Sequence, residues 1–295
     1  MTGVRPQART VDRRALTHSA MKAAVKARTK AGVDLVNPIC MFDLSERLGV
    51  TVRFTDINME GMYDRVPKPR IYLSSLRPLP RRVFTCRHEL GHHEYGHGST
   101  IDEMKEDVEA LRDENPDEFL VNAFSAFTLM PIVGLRGAFA RRGCAAATAD
   151  EVAMFAVASN FGVGYTTLIS HLAYGVEEIS PARARQLLKA SPKSIRQRLL
   201  GDGRADPLLL VDRAWVGRAI DAEVETTLLL PVGAEVEGAV LRHVADCDVG
   251  RIFEAVSPGI GRVSWDGEAD AAFIRISRKN YLGLARYRHL EDDDV

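Results

Sequence analysis

The segment Arg82-Val83-Phe84-Thr85-Cys86-Arg87-His88-Glu89-Leu90-Gly91-His92-His93-Glu94-Tyr95 carries the decisive pattern of this chain. It reads as part of a helix running from Arg81 to Tyr95. Residues four apart on a helix share a face, so His88 and His92 can offer two imidazole nitrogens to one ion, while Glu89 stands one step round, beside that ion. Each residue type contributes separately. The imidazoles are neutral ligands, the ion acidifies a water, and the carboxylate takes the proton and later delivers it to a leaving amine. Gly91 costs a helix about 1 kcal/mol relative to alanine, which is understandable where another backbone or the metal packs closely. A surface helix end rich in histidine would complement the negative helix terminus, but it would have no use for Glu89.

A catalytic zinc takes three protein ligands, so a third must come from elsewhere. In Glu118-Phe119-Leu120-Val121-Asn122-Ala123-Phe124-Ser125-Ala126-Phe127-Thr128-Leu129-Met130-Pro131 the residues Glu118, Asn122 and Ser125 form one polar stripe on an apolar helix. Such a stripe on a buried helix needs a reason. If it faces the histidine helix, Glu118 is the third ligand and Asn122 a donor that orients the site. The competing reading is a capping box, in which Glu118 bonds back to Asn115. Glu94, Glu114 and His97 are the alternative ligands.

Outward from these two helices, Val11 to Lys30 and Met41 to Leu48 read as helices, and Val50 to Phe54 and Arg70 to Ser74 as strands of a small sheet. Ile101 to Leu111 carries apolar residues at helical spacing, and Asn115-Pro116 opens a helix that runs to Pro131. Further helices are expected over Asp150 to Asn160, Tyr165 to Tyr174 and Pro181 to Leu200. After Gly201-Asp202-Gly203-Arg204-Ala205-Asp206-Pro207, which reads as a linker, the pattern changes to β-branched runs such as Thr226 to Val232 and Ala271 to Ile276. The expected organisation is a domain over residues 1–200, mostly helical with a helical extension, and a smaller β-rich domain over 207–295.

The composition, 46% hydrophobic and 27% charged, is that of a folded globular protein, and a net charge of -1 excludes a global attraction to nucleic acid or an anionic membrane. The charge is nonetheless uneven. The first thirty residues are basic, from Arg5 to Lys30, and Glu291-Asp292-Asp293-Asp294 is an acidic tail, which read as solvated ends. No apolar run suits a membrane span or a secretory signal, so a cytoplasmic location is expected. The cysteines at 40, 86, 144 and 247 lack metal or disulfide spacing and read as free thiols.

Taken together, His88-Glu-Leu-Gly-His92, Glu118-x-x-x-Asn122-Ala-Phe and Leu129-Met130-Pro131 resemble the ImmA/IrrE family of metallopeptidases. The resemblance extends from about Asn37 to Ser180, through Phe42-Asp-Leu-Ser-Glu-Arg-Leu-Gly-Val-Thr-Val before the motif and Val157-Ala-Ser-Asn-Phe-Gly-Val after it. It implies an α+β fold, a zincin-like domain with a small sheet. It further implies that His88, His92 and Glu118 hold zinc, that Glu89 is the general base, and that the substrate is a helix-turn-helix repressor whose cleavage relieves repression. Two histidines and a glutamate can also hold manganese. The sequence departs from the family at Val121, where alanine is usual, and at Ser125, where alanine is commoner.

Two other readings compete. Val152 to Asn160, the turn Phe161-Gly162-Val163-Gly164 and Tyr165 to Leu172 look like a helix-turn-helix, so that the chain would be a DNA-binding regulator or would touch DNA weakly. The second helix carries no Arg or Lys, although Arg183, Arg185, Lys189, Lys193, Arg196 and Arg198 follow it. A regulator that binds a partner without cutting it would have no use for Glu89. The strand Arg70 to Ser74 is expected to hold an extended peptide along its edge. His93, Tyr95 and His97 are candidates for stabilising the transition state.

Overall fold

A computed structural model describes residues 12–102, 115–201, 207–265 and 271–290. The basic residues before Asp12 and the acidic tail fall outside them. Helix α1 (Arg13–Lys30) opens at Asp12, whose carboxylate accepts from the backbone N–H of Arg14 and Ala15. Its buried residues are Ala20, Ala24, Ala27 and Arg28, and the three alanines form a stripe of small residues that lets it lie close along helix α4 (Pro116–Leu129). Arg28 is fully buried and its guanidinium donates to three carbonyls, those of Asp34, Asn37 and Thr128. One side chain thus ties α1, the loop after it and the end of α4 together.

Helix α2 (Met41–Arg47) leads into strand β1 (Thr51–Thr55), followed by β2 (Gly61–Asp64) and β3 (Arg70–Ser74). Helix α3 (Leu79–Glu94) is the expected histidine helix, and β4 (Thr100–Asp102) follows it. The expected helix over Ile101 to Leu111 therefore begins as a strand, paired antiparallel to β2; the remainder lies outside the described residues. The sheet order is β13-β1-β3-β2-β4, where β13 is Gly283–Leu284. Strand β3 runs parallel to β1 and antiparallel to β2, so both its edges are taken. This corrects the expectation that Arg70 to Ser74 offers a free edge: among the described residues the strand with an open side at this end of the sheet is β4, beside β2.

After α4 come α5 (Ile132–Ala140), α6 (Glu151–Asn160) and α7 (Tyr165–Ser170), which widens into a π turn at His171–Gly175. The basic stretch expected as one helix is two, α8 (Pro181–Leu187) and α9 (Pro192–Leu200). The break falls at Ser191-Pro192, where proline has no N–H to continue the ladder and the Ser191 side chain caps the new helix with Ser194. Tyr165, Thr167, Leu168, Ile169 and Ser170 of α7 are all buried. A recognition helix needs an exposed face to enter a major groove, and α7 lacks one.

The C-terminal part builds two four-stranded sheets. One is β5 (Leu208–Leu210), β7 (Thr227–Leu230), β10 (Gly250–Ala255) and β9 (Leu241–Cys247); the other is β6 (Ala219–Glu223), β12 (Ala271–Ser277), β11 (Gly259–Ser264) and β8 (Glu235–Glu237). Along β7 the side chains alternate: Leu228 and Leu230 join a core with Phe253, Trp215, Trp265 and Ile274, whereas Leu229 joins the larger core with Leu208 and Ile252. Strand β7 is therefore covered on both faces, once by the partner sheet and once by the helical part, whereas the edge strand β9 is largely exposed. Strand β13 returns to pair with β1 at Arg53 and Phe54, so the last described residues complete the first sheet.

Candidate metal centre

Helix α3 is buried without interruption from Phe84 to His92, so apolar and polar residues alike face protein on all sides. It lies between the first sheet and α4. Gly91 makes this possible: a Cβ there would stand 2.7 Å from Val121 Cγ1 and 3.3 Å from Phe124 Cδ1. The close neighbour of Gly91 is therefore the side-chain surface of α4, not another backbone.

Across this contact the polar stripe of α4 meets α3 residue by residue. Glu118 places one carboxylate oxygen 3.4 Å from His88 Nε2 and the other 3.8 Å from His92 Nε2. Asn122 Oδ1 is 3.0 Å from His88 Nδ1, and Ser125 Oγ donates to the Arg87 carbonyl at 3.0 Å. Asn115 caps α4 by accepting from the Asp117 N–H, while Glu118 turns toward the histidines. The Asn122 contact has the opposite sense to the one expected, since an amide oxygen only accepts and the imidazole must donate.

That sense fixes a tautomer. His88 carries its proton on Nδ1, which leaves the Nε2 lone pair directed at His92 Nε2, 3.1 Å away. His92 Nδ1 in turn faces His97 Nδ1 at 2.9 Å. When His92 donates in that contact, both Nε2 lone pairs and the Glu118 carboxylate converge with no proton between them, an arrangement that a cation stabilises. Around a tetrahedral zinc, with ligands at about 2.0–2.2 Å, neighbouring donor atoms stand about 3.3–3.5 Å apart. The three distances here bracket that value, and the ligand atoms of His88, His92 and Glu118 all lie within 4.8 Å of one another. The residues present therefore fit a metal ion.

His88 and His92 are 4% and 2% exposed and Glu89 is wholly buried, whereas the Glu118 side chain is 27% exposed and gives the cluster an opening to solvent. Of the alternative ligands, Glu94 is not in the cluster, His97 stands behind His92, and Glu114 lies outside the described residues. His93 is held by the Tyr63 hydroxyl at 2.8 Å, and burial lowers its pKa. Burial raises the Tyr95 phenol to about 12; its ring stacks on His97 and meets Phe124 edge-on. The sequence reading missed His97 as the partner of His92, although its spacing of five past that histidine was visible.

Residues 45–172 match the family model of the M78 peptidases, described as an IrrE N-terminal-like domain. That stretch is similar to an IrrE N-terminal-like peptidase domain. It runs from the last turn of α2 to the π turn after α7 and contains His88, Glu89, His92 and Glu118. No curated protein matches the chain. Among the described residues no single helix is long and apolar enough to cross a membrane.

Proposed function

We propose that the chain is a zinc-dependent endopeptidase with a zincin-like catalytic domain, in which His88, His92 and Glu118 hold the ion and Glu89 is the general base. The convergence of two imidazole nitrogens from α3 and a carboxylate from α4, within a stretch matched by a peptidase family, is the observation that supports this reading best. When bound, the ion acidifies a water and polarises the peptide carbonyl.

The chain's own groups would do the rest. Asn122 holds the His88 ring in the tautomer that presents Nε2, and His97 does the same for His92. Glu89, next to a ligand on the same helix and shielded from bulk water, receives the proton of the attacking water and returns it to the leaving amine. Among the described residues β4 has an open side, which suits an extended peptide segment better than β3, whose edges are occupied. The family resemblance supports a helix-turn-helix repressor as the substrate, cut in the cytoplasm to relieve repression.

The test begins with metal content of the purified full chain by mass spectrometry, beside Glu118→Ala, His92→Ala and Glu89→Gln. About one zinc per chain is expected in the wild type and in Glu89→Gln, and little in the other two. Incubation with a helix-turn-helix repressor encoded beside the gene should yield cleavage by the wild type and none by Glu89→Gln. Absence of metal after reconstitution with zinc or manganese would sink the peptidase reading; cleavage that persists in Glu89→Gln would remove Glu89 from its role.

A further inference from the structure

A second cleft, of about 1070 Å³, lies between the helical part and the C-terminal sheets, and the metal cluster does not line it. One wall is the head of α3, from Pro78 to Val83; others come from the end of α6 and from the segment around β6. Its volume is that of a site for an organic ligand rather than for a single ion. Several apolar side chains line it, among them Phe155, Phe161 and Leu209.

Three buried polar atoms of residues lining this cleft have no hydrogen-bond partner. Asn160 is 2% exposed and its Nδ2 has no hydrogen-bond acceptor; Trp215 is 4% exposed and its Nε1 has none either. The Arg196 Nε is likewise buried without an acceptor. All three are donors. Arg218 adds a half-buried guanidinium that reaches Asn160 Oδ1 at 3.1 Å and Asn37 Oδ1 at 2.9 Å, both neutral partners, and it makes no ion pair with a carboxylate among the described residues. Burial and the cations Arg141 and Arg142 lower its pKa to about 10, against the opposing pull of the Asp34 and Asp212 carboxylates. Buried donors left without acceptors are costly, so a cleft lined by them together with a guanidinium is complementary to an oxyanion.

We infer that this cleft is a binding site for a small organic anion, its carboxylate or phosphate seated on Arg218 and Asn160 and its apolar body against the aromatic wall. The ion pairs elsewhere in the cleft leave this end as the anion's seat: Arg82 is held by Glu223, and Arg275 by Asp221 and Asp43. The site is independent of the peptidase reading. It nevertheless lies against the helix that carries His88, Arg82 being six residues or about 9 Å along the axis from it.

The probes are 3-phenylpropionate, phenyl phosphate and the neutral 3-phenylpropanamide, titrated into the full chain by calorimetry, with thermal unfolding as a second readout. At least one anion should bind saturably in the millimolar range or tighter and the amide much more weakly. The two anions compared with each other tell a carboxylate from a phosphate seat. Arg218→Gln, which keeps the contacts to both asparagines within reach, should weaken anion binding by about tenfold or more, and Arg242→Gln on the exposed face of β9 should leave it unchanged. Trp215→Phe, which keeps the packed ring and removes only the N–H, provides a milder variant should Arg218→Gln unfold; it should weaken the anion severalfold. Failure of both anions to bind, equal binding of the amide, or binding indifferent to Arg218 and Trp215 overturns the site.

Discussion

Gly91 and Val121 share one space: the room left by the missing Cβ on α3 is filled by a γ-methyl of α4, 2.7 Å from where that Cβ would stand. The two helices carry the two halves of the metal cluster, so this contact sets the separation of His88 and His92 from Glu118. Gly91→Ala gains helix propensity but forces α4 outward. The expected result is a net loss of about 1–3 kcal/mol in stability, with weaker zinc binding. Val121→Ala opens the same space from the other side, so the double variant should recover most of both losses. A double-mutant cycle in thermal unfolding and zinc titration checks this; additive effects would show that the two sites do not share the contact.

Asn122 acts on the cluster through His88. In Asn122→Leu the Nδ1–H of His88 loses its buried acceptor, and the ring is free to adopt the tautomer that turns a proton toward Glu118. Zinc affinity, measured by competition with a chelator, should fall by about 10- to 100-fold. Asn122→Asp keeps an acceptor at the same place and should bind zinc at least as tightly as the wild type. Equal affinity in the wild type and Asn122→Leu would refute the orienting role.

Arg28 makes a prediction about stability rather than chemistry. Its hydrogen bonds go to three carbonyls, and burial lowers its pKa to about 10 against the opposing pull of the Asp34 carboxylate. Arg28→Met fills similar volume but strands those carbonyls, at an expected cost of about 3 kcal/mol in denaturant unfolding. Arg28→Lys should recover little, because an ammonium on a flexible stem cannot reach three acceptors that the planar fork meets at once. Recovery of full stability by lysine would mean that charge alone matters there.

The readable parts of this molecule were those in which one element carries its own pattern. The i, i+4 histidines and the Glu118, Asn122 and Ser125 stripe stood out because polar residues at helical spacing on apolar helices are expensive unless they meet something, and here they meet each other. The missed features depend on what packs beside them. Strand β2 is four residues with a glycine and an aspartate, without enough alternation to register, and it exists because β3 and β4 flank it. Helix α5 holds Gly134 and Gly137, which argue against helix locally; Gly134 is there because a Cβ would stand 2.9 Å from the Val36 carbonyl. The interior place of β3, and the return of β13 to β1, are matters of long-range pairing that no local pattern records.

Two histidines away from the cluster couple stability to pH. His171 Nε2 donates to the Met130 carbonyl at 3.1 Å, so its Nδ1 is unprotonated, and that atom is buried without a hydrogen-bond partner. Burial pushes its pKa down to about 4; burial, then the Arg288 cation, does the same for His289. Unfolded, each would titrate near about 6.5. Between those values the unfolded chain binds protons that the folded chain refuses, so their contribution is fully present above about pH 6.5 and is lost as pH falls through about 4. Asp34 and Asp221, whose pKa values are lowered from 3.8, act below that window and can be told apart from the histidines. Thermal midpoints recorded from pH 7 down to pH 4 should therefore decline. The decline should be shallower in His171→Gln, which can still donate to Met130 but cannot be protonated, and shallower again when His289→Gln is added. A slope that stays the same in the double variant would assign the acid sensitivity to other groups.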